Sequence, residues 1–282
     1  MGTTHSFGTS AYLELGGRRL HHMSRGTGGP VVVFESGLGL SRSTWGLVHP
    51  AVAEHVRAVV YDRAGFGRSD PDPRPRTLEH LADDLGALLD ALGPGPFVLV
   101  GHSWGGPIAR VAAARDPGRV HGLVLVDQAE EKADLYFTPA AAKRFALTAR
   151  LTPSLARLGL YKLLGGRAGR VQPADVLADH LAEDFGPAAA RAVVAELEPF
   201  LDELRALREN PPDLGGLPVT VVTGTRSTRL DRAVRRDLVD GHRRTAAALA
   251  NGRLVEAGRS GHLVLFDQPR LLVDEILRLV RS

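Results

Sequence analysis

Apolar residues in this chain cluster in short runs of four to seven, each closed by a glycine-rich or acidic loop and followed by a stretch with helical period. Val31–Glu35, Arg57–Tyr61, Phe97–Val100, His121–Val126, Leu217–Thr223 and Arg253–Glu256 read as strands. Runs this continuously apolar mark strands covered on both faces. Between them the period lengthens. A helix is expected over about 43–54. A second starts after Thr77, whose hydroxyl can cap it, and carries Leu78, Leu81, Leu85, Leu88, Leu89 and Leu92 on one face. Gly93-Pro94-Gly95-Pro96 stops it. Further helices are expected over Pro107–Arg115 and from about Pro269 to Val280. Near the start, Tyr12–Leu15 and Arg18–His21 straddle Gly16-Gly17 and read as an antiparallel hairpin at a sheet edge. Strand, loop and helix in repetition imply right-handed crossovers and a mostly parallel sheet.

Residues 132–212 break the rhythm. They are rich in Ala, Leu and Arg, lack strand patterns, and hold several helices separated by Pro and Gly. About eighty residues is far more than a connection needs. The expected organisation is a core of 1–131 and 213–282 with a helical cap over 132–212.

Composition narrows the picture. With 282 residues and 44% hydrophobic content, the chain suits one large domain with an insertion. No apolar run approaches the roughly 20 residues that span a bilayer. Met1 to Ser10 is polar, without the apolar core of a signal peptide, so a cytoplasmic enzyme with no membrane partner is expected. The absence of cysteine excludes disulfides, thiol catalysis and thiolate-bound metal. Most of the +3 net charge arises over 213–260, where nine arginines face five acids. Those arginines alternate with acids and apolar residues. Arg229, Arg232, Arg235 and Arg236, with Asp231 and Asp237, read as a solvated helix face and not as a nucleic-acid surface. Nothing in the pattern fixes an oligomeric state.

The chemistry centres on Gly101-His102-Ser103-Trp104-Gly105-Gly106, set between an expected strand and an expected helix. In that setting G-x-S-x-G is a nucleophile elbow, a sharp turn that lifts the serine hydroxyl clear of the sheet. A serine needs a base within hydrogen-bond reach, and His262, in the glycine-rich loop after the last strand, is the candidate. His102 is expected to diverge from its neighbour on the elbow. His21, His22, His49, His55, His80, His180 and His242 are expected on surface elements or in the cap.

Three further segments join the elbow: Glu35-Ser36-Gly37-Leu38-Gly39, Tyr61-Asp62-Arg63-Ala64-Gly65-Phe66-Gly67-Arg68-Ser69, and Gly258-Arg259-Ser260-Gly261-His262. In this order and spacing the chain resembles the α/β-hydrolase superfamily over nearly its whole length. The resemblance implies a mostly parallel eight-stranded sheet, helices on both faces and an inserted helical cap. It implies Ser103 as nucleophile and His262 as base. Many relatives place the third member, an aspartate, four residues into a Gly-x-x-Asp pattern; here that position is Ser227. Others carry it after the strand that follows the elbow helix, which makes Asp127 the preferred acid, with Glu130, Glu131 and Asp231 as alternatives. The oxyanion hole is expected from the backbone N–H groups of Leu38 and Trp104. Many relatives have His-Gly where this chain has Ser36-Gly37, which leaves open what braces that loop. Glu35 is taken as a strand-end carboxylate, Asp62 and Arg63 as structural, Trp104 as pocket wall and Trp45 as helix packing. Relatives that cleave carbon–halogen bonds or open epoxides use a carboxylate nucleophile, and Ser103 argues against that chemistry.

The expected activity is a serine hydrolase without cofactor or metal. It would act on an ester, thioester, lactone or amide of a small, largely apolar molecule. Two other readings stay open. The same serine–histidine pair could serve lyase, C–C hydrolase, acyl-transfer or cyclisation chemistry, with Lys143, Arg144 or Arg150 reaching down from the cap. Alternatively the scaffold could bind a small molecule without turnover, for which the serine at 227 speaks.

Overall fold

Ten helices and eight strands are found among residues 5–166 and 168–282, the residues that this computed structural model describes. The strands are β1 (Thr9–Leu15), β2 (Arg18–Arg25), β3 (Val31–Glu35), β4 (Ala58–Tyr61), β5 (Phe97–His102), β6 (Val120–Val126), β7 (Val219–Gly224) and β8 (Gly252–Ala257). They form one sheet in the order β1-β2-β4-β3-β5-β6-β7-β8. β1 pairs antiparallel with β2, and β2 with β4; the remaining pairs are parallel. The helices are α1 (His49–Val52), α2 (Leu78–Leu92), α3 (Gly105–Arg115), α4 (Pro139–Arg157), α5 (Leu160–Gly165), α6 (Ala174–Glu183), α7 (Pro187–Glu209), α8 (Arg232–Ala248), α9 (Val264–Asp267) and α10 (Pro269–Val280).

The strands' period of two explains the layering. Val33, Val59, Leu99, Leu123 and Val221 face one core with Leu81, Leu85 and Ile108 of α2 and α3. Their neighbours Val32, Val60, Val98, Val124 and Val222 face the other, with Trp45, Val52, Leu272 and Ile276. Both faces are dry, which is why the strands read as unbroken apolar runs. The helix expected over 43–54 is instead two short pieces, a 3₁₀ turn over Arg42–Trp45 and then α1. Between them the Gly46 N–H is shared between Ser43 O, 3.3 Å away, and Gln172 Oε1, 3.1 Å away, and Pro50 lies in the first turn of the second piece.

Helices α4–α7 lie in sequence between β6 and β7 and form the helical insertion. Buried and half-buried ion pairs dock it on the core. Arg42 reaches Asp179 at 2.6 Å and Glu183 at 2.8 Å, and Arg68 reaches the same two acids at 2.8 Å. Ser43 donates to Asp184 at 2.6 Å. Arg42 also holds Asp62, so the loop after β4 and the insertion share one cation.

Candidate active site

Three strand ends build the site. β5 turns sharply into α3 at Ser103, which has φ +52°, and β6 ends at Asp127, with φ +40°. Among the described residues these are the only non-glycine positions with positive φ. Such backbone costs on the order of 1–3 kcal/mol per residue and persists only where the surroundings impose it. The surroundings are specific here: Ser103 N donates to Val126 O at 3.1 Å, Ala129 N donates to Ser103 O at 2.8 Å, and Asp127 N donates to Val222 O at 2.7 Å. The turn also depends on close backbone approach. A Cβ on Gly101 would lie 2.4 Å from Gly105 O, and one on Gly105 would lie 2.4 Å from Glu35 O. This is the physical content of the G-x-S-x-G pattern.

His262 follows β8, and its Nδ1 lies 2.7 Å from Asp127 Oδ2. Nδ1–H donates to the carboxylate, which fixes the ring and leaves Nε2 as the open nitrogen. The His262 side chain is 45% exposed, whereas that of Asp127 is fully buried. Among the described residues neither His262 Nε2 nor Ser103 Oγ has a hydrogen-bond partner. Burial works to raise the Asp127 carboxyl. The His262 hydrogen bond and the electrostatic pull of His262, His242 and Arg235 overcome it and hold the group well below the usual carboxylate range. Of the other candidate acids, Glu131 is paired with Arg110, Glu130 accepts from Thr245 and Gln128, and Asp231 accepts from Thr228. Ser227 lies exposed on the loop after β7.

His102 does not simply diverge. Its ring lies 4.8 Å from that of His262, and its Nε2–H donates to His262 O at 3.1 Å. Burial, followed by the nearby His262, pushes His102 down to about 3, so this neutral ring props the His262 loop. The surface placement expected for other histidines also fails for His21, His49, His80 and His242, which are buried; His180 lies within residues 132–212, as expected, and is buried there. Each has a polar partner, such as Asp62 for His21 and Asp184 for His180. The partners of His21 and His242 lie 41 and 114 residues away, so composition around those two histidines could not give them away.

Glu35 is likewise more than a strand-end carboxylate. It is buried, accepts from the Tyr61 hydroxyl, and pairs with Arg63 Nη1 at 2.6 Å. Arg63 also donates to Ser36 O at 2.6 Å and Gly37 O at 2.8 Å, and its far side pairs with Glu196 of α7 at 2.6 Å. The Trp45 indole and the Ser41 carbonyl hold the Ser36 hydroxyl. These groups brace the loop in the way that the Ser36-Gly37 sequence left open. A trans peptide points C=O and N–H in opposite directions, so tying Gly37 O to Arg63 turns the Leu38 N–H away from that cation.

Trp104 immediately precedes α3 and is fully buried against Phe200 of α7, ring centroids 4.8 Å apart. Phe145 and Tyr136 lie 5.0 and 5.8 Å from Phe200, so core and insertion share an aromatic wall beside the turn. Lys143, Arg144 and Arg150 are exposed on α4, and the Arg144 guanidinium lies over the Phe145 ring. Asp72, His80 and Asp84 have spacing compatible with a cation, but Arg18, Arg74 and Arg76 already occupy their oxygens.

The sheet order, the serine turn and the histidine–carboxylate pair at the ends of parallel strands define an α/β-hydrolase architecture. The chain belongs to the alpha/beta hydrolase family, whose model matches residues 32–275. It is 27% identical over 293 residues to an AB hydrolase superfamily protein of Gibberella zeae, covering 89% of this chain and 86% of that one. It is 27% identical over 279 residues to haloalkane dehalogenase 2 of Mycobacterium tuberculosis, covering 92% and 90%. In fold it is similar to the Cif epoxide hydrolase of Acinetobacter nosocomialis, with a TM-score of 0.77 at 18% identity, covering 96% of this chain and 88% of that one. Among the described residues no helix is long and apolar enough to cross a membrane.

Proposed function

We propose that this protein is a cofactor-free serine hydrolase that cleaves an ester, thioester, lactone or amide of a small, largely apolar molecule through an acyl-enzyme. The observation that carries the reading is the 2.7 Å contact between His262 Nδ1 and Asp127, beside a serine held at φ +52°. The Ser103 Oγ attacks the substrate carbonyl as His262 Nε2 takes its proton. Asp127 stays ionised, keeps the proton of the neutral ring on Nδ1 and stabilises the imidazolium that forms. The tetrahedral oxyanion is held by the N–H groups of Leu38 and Trp104, each worth on the order of 3 kcal/mol. His262 then protonates the leaving group, and the same ring activates a water that clears the acyl group. The open Ser103–His262 link is compatible with this, because catalytic hydrogen bonds often tighten only once substrate binds.

Residues 132–212 act as a cap in this reading, and Trp104, Tyr136, Phe145 and Phe200 supply an apolar wall for the acyl or leaving group. The haloalkane dehalogenase and epoxide hydrolase likenesses argue for the scaffold and not for the reaction, because those chemistries use a carboxylate where this chain has Ser103. Purified protein is expected to hydrolyse short p-nitrophenyl esters and to be labelled by a fluorophosphonate at Ser103. Absence of both would refute the proposal.

A further inference from the structure

Arg235 lies on the first turn of α8, where its sequence neighbours suggested a solvated face. Its side chain is 10% exposed, and Nη1 donates to both oxygens of Asp127 at 2.8 Å and to Gly224 O at 3.3 Å. The Gly224 N–H donates to Asp127 Oδ1 at 2.8 Å, and His262 Nδ1 takes Oδ2. Four donor contacts thus saturate the carboxylate and fix its plane. Arg235 and His262 share Oδ2, so cation and imidazole stand within two hydrogen-bond lengths of each other.

We propose that Arg235 is a positioning residue that orients Asp127 for His262 and sets a fixed, buried cation beside the pair. A buried carboxylate alone favours the protonated ring; an adjacent cation opposes that protonation. The inference rests on the acyl-enzyme reading for its consequence in turnover, and on the geometry alone for the rest. Arg235 is the buried, permanently charged group facing the pair. His102 from β5 is a neutral ring against His262. His242 from α8 is held by Thr223 and the Gln128 carbonyl. Tyr136 faces Asp127 as a hydroxyl held protonated by burial, then by the nearby acids. Glu130 is tied to Thr245 and Gln128, and the exposed Arg226 is paired with Asp267.

The test compares the acid limb of the pH–rate profile on p-nitrophenyl acetate in wild type, Arg235→Gln and Arg235→Lys. The Gln variant is expected to move the midpoint up by about one pH unit, which lowers its rate about tenfold more on the acid side than on the plateau. The Lys variant keeps the midpoint, because its ammonium keeps the positive charge beside Asp127. A Gln variant with uniform loss at every pH and an unmoved midpoint overturns the proposal. Should that variant not fold, a Lys variant whose midpoint moves overturns it. An NMR titration of the His262 ring in the same proteins reads the same shift without turnover. A wild type inactive on esters would therefore count against the acyl-enzyme reading and leave this test intact.

Discussion

Two buried histidines make stability fall on mild acidification. Burial pushes His49 down to about 4, and His102 down to about 3, from the ordinary value of about 6.5. An unfolded histidine therefore binds a proton that the native ring refuses, so the unfolded state gains protons first as pH drops. Stability is full above the unfolded value and declines below it. Between about pH 7.5 and 5.5 each ring removes about 1.4 kcal/mol, or about 3 kcal/mol together. Most carboxylates stay ionised in both states over that interval. His49 is the clean reporter because it packs edge-on against Phe7 and Phe34, 5.1 and 5.7 Å away, and its polar contact is Ala58 O at 3.0 Å. His49→Phe keeps the packing and removes the titration. Urea unfolding of both proteins at the two pH values should show the variant losing about 1.4 kcal/mol less than wild type on acidification. A difference below about 0.3 kcal/mol would refute the assignment of this pH dependence to a buried neutral ring.

Asp127→Asn should lower kcat by about 10³–10⁴-fold with the protein still folded, because the amide holds the wrong tautomer of His262; steady-state kinetics with a melting curve checks both. Glu196→Gln should cost about 3 kcal/mol by leaving the buried Arg63 with one carboxylate instead of two. If Arg63 aims the Leu38 N–H, that variant should also lose kcat with KM nearly unchanged; a wild-type kcat would detach the loop brace from the chemistry.

The fold was legible because its strands carry the pattern that two-sided burial demands. Val31–Glu35 and Val120–Val126 differ from the expected runs by no more than one residue at either end. Ser103 and Asp127 stand at strand ends, the first marked in the sequence by the G-x-S-x-G motif and the second indicated by the family resemblance. What stayed hidden was the buried charge. Arg235 shares the inner face of α8 with Leu238, Val239 and His242, at helical spacing. That spacing was the available signal, but the acids around it suggested solvent. Glu196 sits likewise among Val193, Leu197 and Phe200 on the buried face of α7. A charge inside an apolar stripe is informative only when its partner is known, and Asp127 and Arg63 lie more than a hundred residues away. The break in the helix expected over 43–54 was not legible because Gln172, which shares the Gly46 N–H with Ser43 O, comes from the distant insertion.

Covalent capture at Ser103 tests the central claim most directly. Intact and peptide mass spectrometry after fluorophosphonate treatment should show one adduct on wild type, located at Ser103, and none on Ser103→Ala. Ester turnover in that variant should fall by on the order of 10⁶-fold. A Ser103→Ala protein that still forms the adduct, or that turns over esters near the wild-type rate, would contradict the acyl-enzyme account.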